Sequence, residues 1–404
     1  MSKPVVSVLA ADLEIAMSRA DSGGFESGRA GSDLADWRAR LADLSVGRRQ
    51  AWSIDDRELS LLQSFLAREG TQLGSELRET ESGFEAKFDN LDPSWIWSLR
   101  DWIKKLDPHD FIVGADEADA IADDTAIAMV GDWGTGLYGA PVCARTIDEL
   151  ARLDLVMHLG DVYYAGDRDE VRDRFIAHWP ERTDVWHRAL NGNHEMYSGG
   201  KGYFDGILQD ARFKQPASHF AFVNNDWLLI GLDTAYADHD LYGDQAGWVQ
   251  RLAARHADKA IMLFSHHQPF SAFEGQGLKL QQKLMPLLAA GRIAAWYWGH
   301  EHACVRYDQH PAWKMHGRCI GHGGFPYFRF VARPNQHQAE WIDVPAKRNV
   351  PASKVYDGPN ALVLEAPDDY GPNGFLVIQL AGRKVHESYR DPYGVQVGEY
   401  EFTA

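Results

Sequence analysis

The stretch TAIAMVGDWG, residues 125–134, joins a short apolar, β-like run to a glycine–aspartate motif at its end. An apolar run followed by a polar motif occurs four more times along the chain. These runs and motifs are DLVMHLGDVYY (154–164), VWHRALNGNHE (185–195), AIMLFSHHQP (260–269) and IAAWYWGHEH (293–302). Open α/β sheets gather ligand-binding groups at the carboxyl ends of their strands. We therefore expect the five motifs to converge in space.

Helical stretches alternate with these runs, which is typical of an α/β sheet with crossover helices. Helices are predicted near residues 142–153, 170–178, 245–256 and 278–289, and further strands at HFAFV (219–223) and WLLIGL (227–232). Residues 325–359 show little periodicity and predict a long surface excursion. The two β-like runs around residues 381–382 predict a closing hairpin.

Residues 1–120 contain no recognisable chemical motif and are predicted to be mainly helical, with helices at about 53–70 and 93–106. The acidic, small-residue segment 113–124 is the expected linker. The predicted domains are therefore an N-terminal region of unknown role, 1–120, and a larger domain, 125–404. The N-terminal region is expected to bind a partner, cover a site or mediate oligomerisation.

The composition of the chain argues against some classes of binding partner. The chain has 404 residues and a formal charge of −17, which opposes binding to the nucleic-acid backbone. The three cysteines, Cys143, Cys304 and Cys319, do not form a disulfide framework. No signal peptide and no run of 18 apolar residues occurs, so we expect a cytoplasmic protein with no membrane partner. The negative charge would also repel a small anionic substrate unless a local cation reverses the field.

The side chains of the five motifs suit two metal ions. The expected ligands are Asp132, Asp161, Tyr164, Asn193, His266, His300 and His302. Carboxylate, phenolate, amide and imidazole donors are typical of iron, zinc or manganese, and the lack of cysteine ligands argues against a structural zinc cage. Two carboxylates and one phenolate leave a positive pocket once two cations are bound, which attracts phosphate and acidifies a bound water.

In this order the five motifs resemble those of the calcineurin-like metallophosphoesterase family. Most of that family begins with Asp-x-His, whereas Asp132-Trp133-Gly134 lacks the histidine. Members of the purple acid phosphatase branch are similar in having GDxG there and a compensating tyrosine in GDxxY. The second motif therefore favours Tyr164 over Tyr163 as the replacement. The resemblance covers about residues 125–324 and the hairpin near 375–390.

The resemblance implies a four-layer αββα sandwich of two mixed sheets with an N-terminal, mainly helical extension. It also implies that Asp132, Tyr164 and His302 hold one metal, that Asn193, His266 and His300 hold the other, and that Asp161 bridges them. The family pattern gives His194 contact with phosphate and proton donation to the leaving group, with Glu195 orienting it. The metals implied are iron paired with iron, zinc or manganese.

Several alternatives stay open. The apolar run before His266 favours that residue as the ligand, whereas a His-x-Pro pattern favours His267. His322 is as consistent with a turn as with the pocket. The expected reaction is attack of a metal-bound hydroxide on a phosphate ester. A phosphodiesterase acting on nucleotides or lipid headgroups, and a catalytically silent scaffold that binds a partner, are the rival hypotheses.

Overall fold

The structure is a computed structural model of the protein. It describes residues 107–404 except 137–138, 326, 328, 330–339, 363–366 and 369, together with residues 60, 77–80 and 83–86. The chain divides into two units, Met1–Asp107 and Pro108–Ala404. In the described part of the first unit, the strands β1 and β2 form an antiparallel hairpin, Leu77–Thr80 against Gly83–Ala86. Apart from residue 60, which is helical, the helices predicted at 53–70 and 93–106 lie outside the described residues.

The described part of the second unit contains two sheets, whose central strands follow the apolar runs of the sequence. In chain order the strands are β3 (Asp119–Ala120), β4 (Ala126–Val130), β5 (Leu155–His158), β6 (Trp186–Ala189), β7 (Phe220–Val223), β8 (Trp227–Leu232), β9 (Ala260–Ser265), β10 (Ile293–Trp298), β11 (Cys304–Tyr307), β12 (His316–Ile320), β13 (Glu340–Val344), β14 (Ser353–Asp357), β15 (Phe375–Ala381), β16 (Lys384–Arg390) and β17 (Gln396–Thr403).

Both sheets are mixed, as the sequence analysis expected. Among the described residues, the larger sheet has nine strands in the order β13-β14-β11-β12-β10-β9-β8-β7-β3, and its central strands β12, β10, β9 and β8 are parallel. The smaller sheet has six strands in the order β17-β16-β15-β4-β5-β6, in which β4, β5 and β6 are parallel. The predicted closing hairpin is confirmed, because β15 pairs antiparallel with β16.

Helices connect the strands of the two sheets. They are α1 (Gly139–Asp148), α2 (Arg168–Glu170), α3 (Asn193–Tyr197), α4 (Gln245–Arg255) and α5 (Leu278–Ala289), with π-helical segments at Val171–Ile176 and Tyr203–Ile207. Successive residues of a strand point to opposite faces of the sheet, so they pack in different layers. Met129 and Met262 pack between the sheets, whereas Val130 faces α1 on the outside. On the opposite side α4 and α5 pack against β9 and β10, which confirms the four-layer αββα architecture.

Part of the prediction for residues 325–359 is wrong. The described residues of this segment include β13 and β14, which form one edge of the larger sheet. Both strands mix charged and apolar residues, EWIDV and SKVYD, so they lack the continuous apolar run that marks the central strands. The domain division at residues 120–125 stays a prediction. The structure adds that β3, within the expected linker, pairs with β7.

Cys143, Cys304 and Cys319 are all buried and unpaired. Among the helices that the structure describes, none is both long enough and apolar enough to cross a bilayer.

Candidate metal centre

Three of the predicted ligands lie immediately past strands and have a left-handed backbone. The φ angles of Asp132, Asp161 and His300 are 55°, 75° and 67°. Non-glycine residues rarely adopt such angles, which cost free energy and persist where the surrounding structure enforces them. The chain turns sharply at these points, and the turn directs each side chain back across the ends of the strands.

Glycines next to these residues allow the strand ends to approach one another. A Cβ atom added to Gly299 would lie 2.8 Å from Asp132 Oδ2, and one added to Gly192 would collide with Asp161 Oδ1. A side chain at either glycine would therefore displace a carboxylate of the cluster. This explains in physical terms why the GNHE and GHEH motifs begin with glycine.

One group of donors surrounds the amide oxygen of Asn193. Asn193 Oδ1 lies 2.9 Å from His266 Nε2 and 3.1 Å from His300 Nδ1. His266 Nε2 is also 3.3 Å from Asp161 Oδ1. The other ring nitrogen of His266, Nδ1, lies 2.8 Å from the carbonyl oxygen of Leu159, which fixes the ring. These four side chains can share one cation.

A second group lies on the other side of Asp161. Asp132 Oδ1 is 3.6 Å from His302 Nε2, and the hydroxyl of Tyr163 is 2.6 Å from His302 Nε2 and 3.2 Å from Asp161 Oδ2. Asp132 is fully buried, yet its Oδ1 has no hydrogen-bond partner. A buried carboxylate oxygen without a partner is costly unless a cation binds there, so these residues fit a metal ion.

The tyrosine of this group differs from the sequence prediction, which named Tyr164. Tyr164 is buried, and the centre of its ring lies 5.7 Å from the Arg174 guanidinium. Its backbone N–H donates to Glu170. The structure therefore brings the hydroxyl of Tyr163 to Asp161 and His302, and Tyr164 as a ligand stays a prediction. Both residues follow the same strand, and spacing alone did not reveal which phenol contacts the cluster.

His194 and Glu195 both lie next to Asp161, which belongs to the cluster. His194 Nδ1 is 2.6 Å from the carbonyl oxygen of Tyr164, and its Nε2 is 3.9 Å from Asp161 Oδ2. The Glu195 carboxylate accepts hydrogen bonds from the backbone N–H groups of Asp161, Val162 and Gly192 at 3.2, 2.9 and 3.0 Å. These contacts stabilise the turn that presents Asp161. Orientation of His194 by Glu195 stays a prediction.

Burial and charge perturb the titration of the cluster. Burial raises the pKa of Asp132 well above its ordinary value. Burial alone would lower the pKa of His266, but the Asp161 carboxylate outweighs it and raises that pKa to about 9. Burial lowers the pKa of His302 to about 3, which keeps its imidazole neutral and able to bind a metal.

His267 and His239 extend the cluster beyond the predicted ligands. His267 is turned away from Asn193, and its Nδ1 lies 3.1 Å from the Thr234 hydroxyl. With His300 and His239, a residue that the sequence analysis did not select, it forms a further group able to hold a metal. His239 follows no apolar run, so no local pattern distinguishes it. His322 belongs to none of the metal-binding groups of the described residues.

Comparisons with known proteins agree with this geometry. A family model described as calcineurin-like phosphoesterase matches residues 125–304. Tartrate-resistant acid phosphatase type 5 from Rattus norvegicus is 26% identical over 225 residues, covering 45% of this chain and 68% of that protein. The protein of the same name from Sus scrofa is 26% identical over 215 residues, covering 43% of this chain and 62% of the relative. About a third of each relative is unmatched.

Solved structures provide more distant matches. A dimetal phosphatase from Danio rerio matches 70% of this chain and 99% of its own, with 12% identity and a TM-score of 0.41. The structure of PhoD matches 72% of this chain and 70% of its own, with 11% identity and a TM-score of 0.42.

Proposed function

We propose that residues 125–304, which match a family model described as calcineurin-like phosphoesterase, form a metal-dependent phosphoesterase that hydrolyses a phosphate ester with two bound cations. Asn193, His266 and His300 hold one cation. Asp132, His302 and a tyrosine phenol hold the other. The cations proposed are iron with iron, zinc or manganese, because the donors combine carboxylate, amide and phenol oxygens with imidazole nitrogens.

The observation that carries the proposal is the position of the Asp161 carboxylate between the two groups. Its Oδ1 lies 3.3 Å from His266 Nε2, and its Oδ2 lies 3.2 Å from the Tyr163 hydroxyl. One oxygen therefore faces each group, as a carboxylate that bridges two cations must. Burial alone would raise the pKa of Asp161, but the neighbouring histidines hold it well below its ordinary value.

The chemistry divides between the cations and the protein side chains. When bound, two cations supply the positive charge that neutralises phosphoryl oxygens and the acidity that makes a water nucleophilic near neutral pH. The protein positions these groups and excludes solvent, since Asp132, Asp161 and His266 are almost completely buried. The formal charge of −17 makes such local positive charge necessary for an anionic substrate.

His194 is proposed to donate the proton that the leaving oxygen needs. The contact between its Nδ1 and the carbonyl oxygen of Tyr164 holds the ring. This leaves Nε2 directed towards the cluster, 3.9 Å from Asp161 Oδ2. A positioned histidine of this kind contributes roughly 10²–10⁴-fold to the rate of an acid-catalysed step.

Phosphate monoesters are the substrate class we propose first, because the curated relatives are acid phosphatases. Diesters are the alternative, since the same ligand set serves both. The discriminating experiment compares turnover of an aryl phosphate with turnover of its bis-aryl diester by the metal-loaded protein. Faster turnover of the monoester supports a phosphatase, and faster turnover of the diester supports a phosphodiesterase. Failure to hydrolyse either ester with both cations bound would favour the silent scaffold.

The completeness of the ligand set argues against a silent scaffold, which has no need to retain buried, mutually close metal donors. Action in the cytoplasm, and partner binding or oligomerisation through residues 1–120, stay predictions from the sequence.

A further inference from the structure

Three histidines form a separate group on one side of the proposed pair. His239, His267 and His300 each present a ring nitrogen, and these nitrogens lie within 4.8 Å of one another. The ring of His267 is 3.8 Å from that of His239 and 4.6 Å from that of His300, centre to centre. The group contains no carboxylate, unlike the two groups of the pair.

His267 is held in place with one nitrogen uncommitted. Its Nδ1 lies 3.1 Å from the Thr234 hydroxyl, and its backbone N–H donates to the same oxygen at 3.0 Å. The side chain is fully buried, and its Nε2 has no hydrogen-bond partner. An uncompensated buried nitrogen costs free energy. A ring fixed at one nitrogen and open at the other is how proteins commonly prepare a histidine for a metal.

His239 approaches from the loop after β8. The start of this loop is rigid, because the Asp233 carboxylate accepts the backbone N–H groups of Ala235 and Tyr236 at 3.0 and 2.9 Å. The His239 side chain is 39% exposed, and its Nε2 lies 3.7 Å from the Asp238 carboxylate. This histidine is therefore accessible to an ion from solvent while its ring packs on that of buried His267.

We propose that His239, His267 and His300 form a third cation-binding site beside the proposed dinuclear site. Imidazole donors alone select borderline transition metals such as Zn²⁺, Co²⁺, Ni²⁺ or Cu²⁺, whereas the carboxylates of the pair also accept Mn²⁺. Two ligands of one tetrahedral zinc ion lie about 3.4 Å apart. Binding one ion requires the three ring nitrogens, which lie within 4.8 Å of one another, to approach this distance. The partly exposed His239 side chain lies on a surface loop that permits such a shift.

His300 belongs both to this third site and to the group that contains Asp161 and His266. Its Nδ1 faces Asn193 Oδ1 at 3.1 Å, so a ring that serves both cations uses its two nitrogens and releases its ring proton to solvent. A cation in the third site adds positive charge at the edge of the dinuclear site. Substrates with more than one anionic group benefit most from this charge.

The test counts bound metal in the full-length protein. Protein stripped with a chelator is reloaded with excess ZnCl₂ or MnCl₂, freed of unbound metal by gel filtration, and subjected to elemental analysis. Wild type should retain about three Zn²⁺ but about two Mn²⁺ per chain, because the three proposed ligands of the third site are all imidazoles. His239→Ala and His267→Ala should each lose about one Zn²⁺, and the double variant should lose no more, since both remove the same ion.

His178→Ala is the matched control, because it removes an exposed histidine outside the metal-binding groups, and it should retain the zinc of wild type. The proposal is overturned if His239→Ala leaves bound zinc unchanged. It is also overturned if only His267→Ala loses an ion, since His267 would then serve the pair. Failure of the proposed dinuclear site is a separate result. In that case Asp161→Asn leaves bound metal unchanged, while the effect of His239→Ala persists.

Discussion

At the residue scale, Tyr163 and Tyr164 are the two candidates for the phenol of the group that contains Asp132 and His302. The Tyr163 hydroxyl lies 2.6 Å from His302 Nε2. We therefore predict that Tyr163→Phe abolishes the visible absorption band of the iron-loaded protein, whereas Tyr164→Phe retains it, since a ferric tyrosinate requires the phenol oxygen. Absorption spectra of both variants, recorded at equal iron content, make the comparison. The opposite order would support Tyr164, as the motif spacing predicts.

His194 gives a second prediction at this scale. His194→Ala should retain both cations, because the ring is not among the ligands, and should lower kcat by roughly 10²–10⁴-fold through loss of the proton donor. Metal analysis and steady-state kinetics on the same sample measure the two effects. The loss should diminish for substrates whose leaving group needs no proton. A variant that loses its metal, or that turns over at the rate of wild type, contradicts this role.

Sequence patterns select residues whose signal is local. The apolar run directly before His266 favours it as a ligand, and its Nε2 lies beside Asn193 and Asp161; His266 as a metal ligand stays a prediction. The choice between Tyr163 and Tyr164 depends on how the chain turns after β5, which spacing does not encode. His239 could not be selected, because only the folded loop brings it to His267.

At the scale of elements, the turn between β6 and α3 presents Asn193 and supports Asp161. A Cβ atom at Gly192 would collide with Asp161 Oδ1 and lie 2.7 Å from Glu195 Oε2. Gly192→Ala should therefore displace the Asp161 carboxylate, weaken metal retention and lower turnover together. Gly275→Ala is the control, since a Cβ atom there meets nothing within 4 Å. Metal titration of both variants tests the prediction, and wild-type affinity in Gly192→Ala would refute it.

The apolar runs predict most of the central strands, whereas strands interrupted by polar residues are missed. The runs AIAMV, WLLIGL and IAAWYW are apolar and lie between layers of helix and sheet, so their composition alone identifies them. The missed β12 and β17 have the sequences HGRCI and QVGEYEFT. Polar residues interrupt both, because β12 holds a buried arginine and β17 is the edge of its sheet.

At the scale of the whole molecule, a buried ion pair joins the two sheets. Arg318 on β12 donates through Nε to both oxygens of Glu387 on β16, at 2.9 and 2.8 Å. The hydroxyls of Tyr297 and Tyr389, one from each sheet, also donate to this carboxylate at 2.8 and 2.9 Å. Arg318 and Glu387 are both fully buried.

Glu387→Gln should lower the free energy of unfolding by about 3–5 kcal/mol, because it leaves the Arg318 charge buried without a counterion. Denaturant unfolding measures the change. Glu401→Gln is the matched control on the neighbouring strand, since its partner Lys384 is half exposed, and it should change stability little. Equal effects of the two substitutions would show that the buried pair does not hold the sheets together.

The central claim is that Asp161 bridges two cations, and metal content tests it most directly. Full-length wild type, Asp161→Asn and the exposed control Asp258→Asn are loaded with Mn²⁺, freed of unbound metal and measured by elemental analysis beside turnover of an aryl phosphate. Wild type and the control should retain about two Mn²⁺ per chain and be active, whereas Asp161→Asn should lose the metal and the activity together. Full metal content and full turnover in Asp161→Asn would contradict the account.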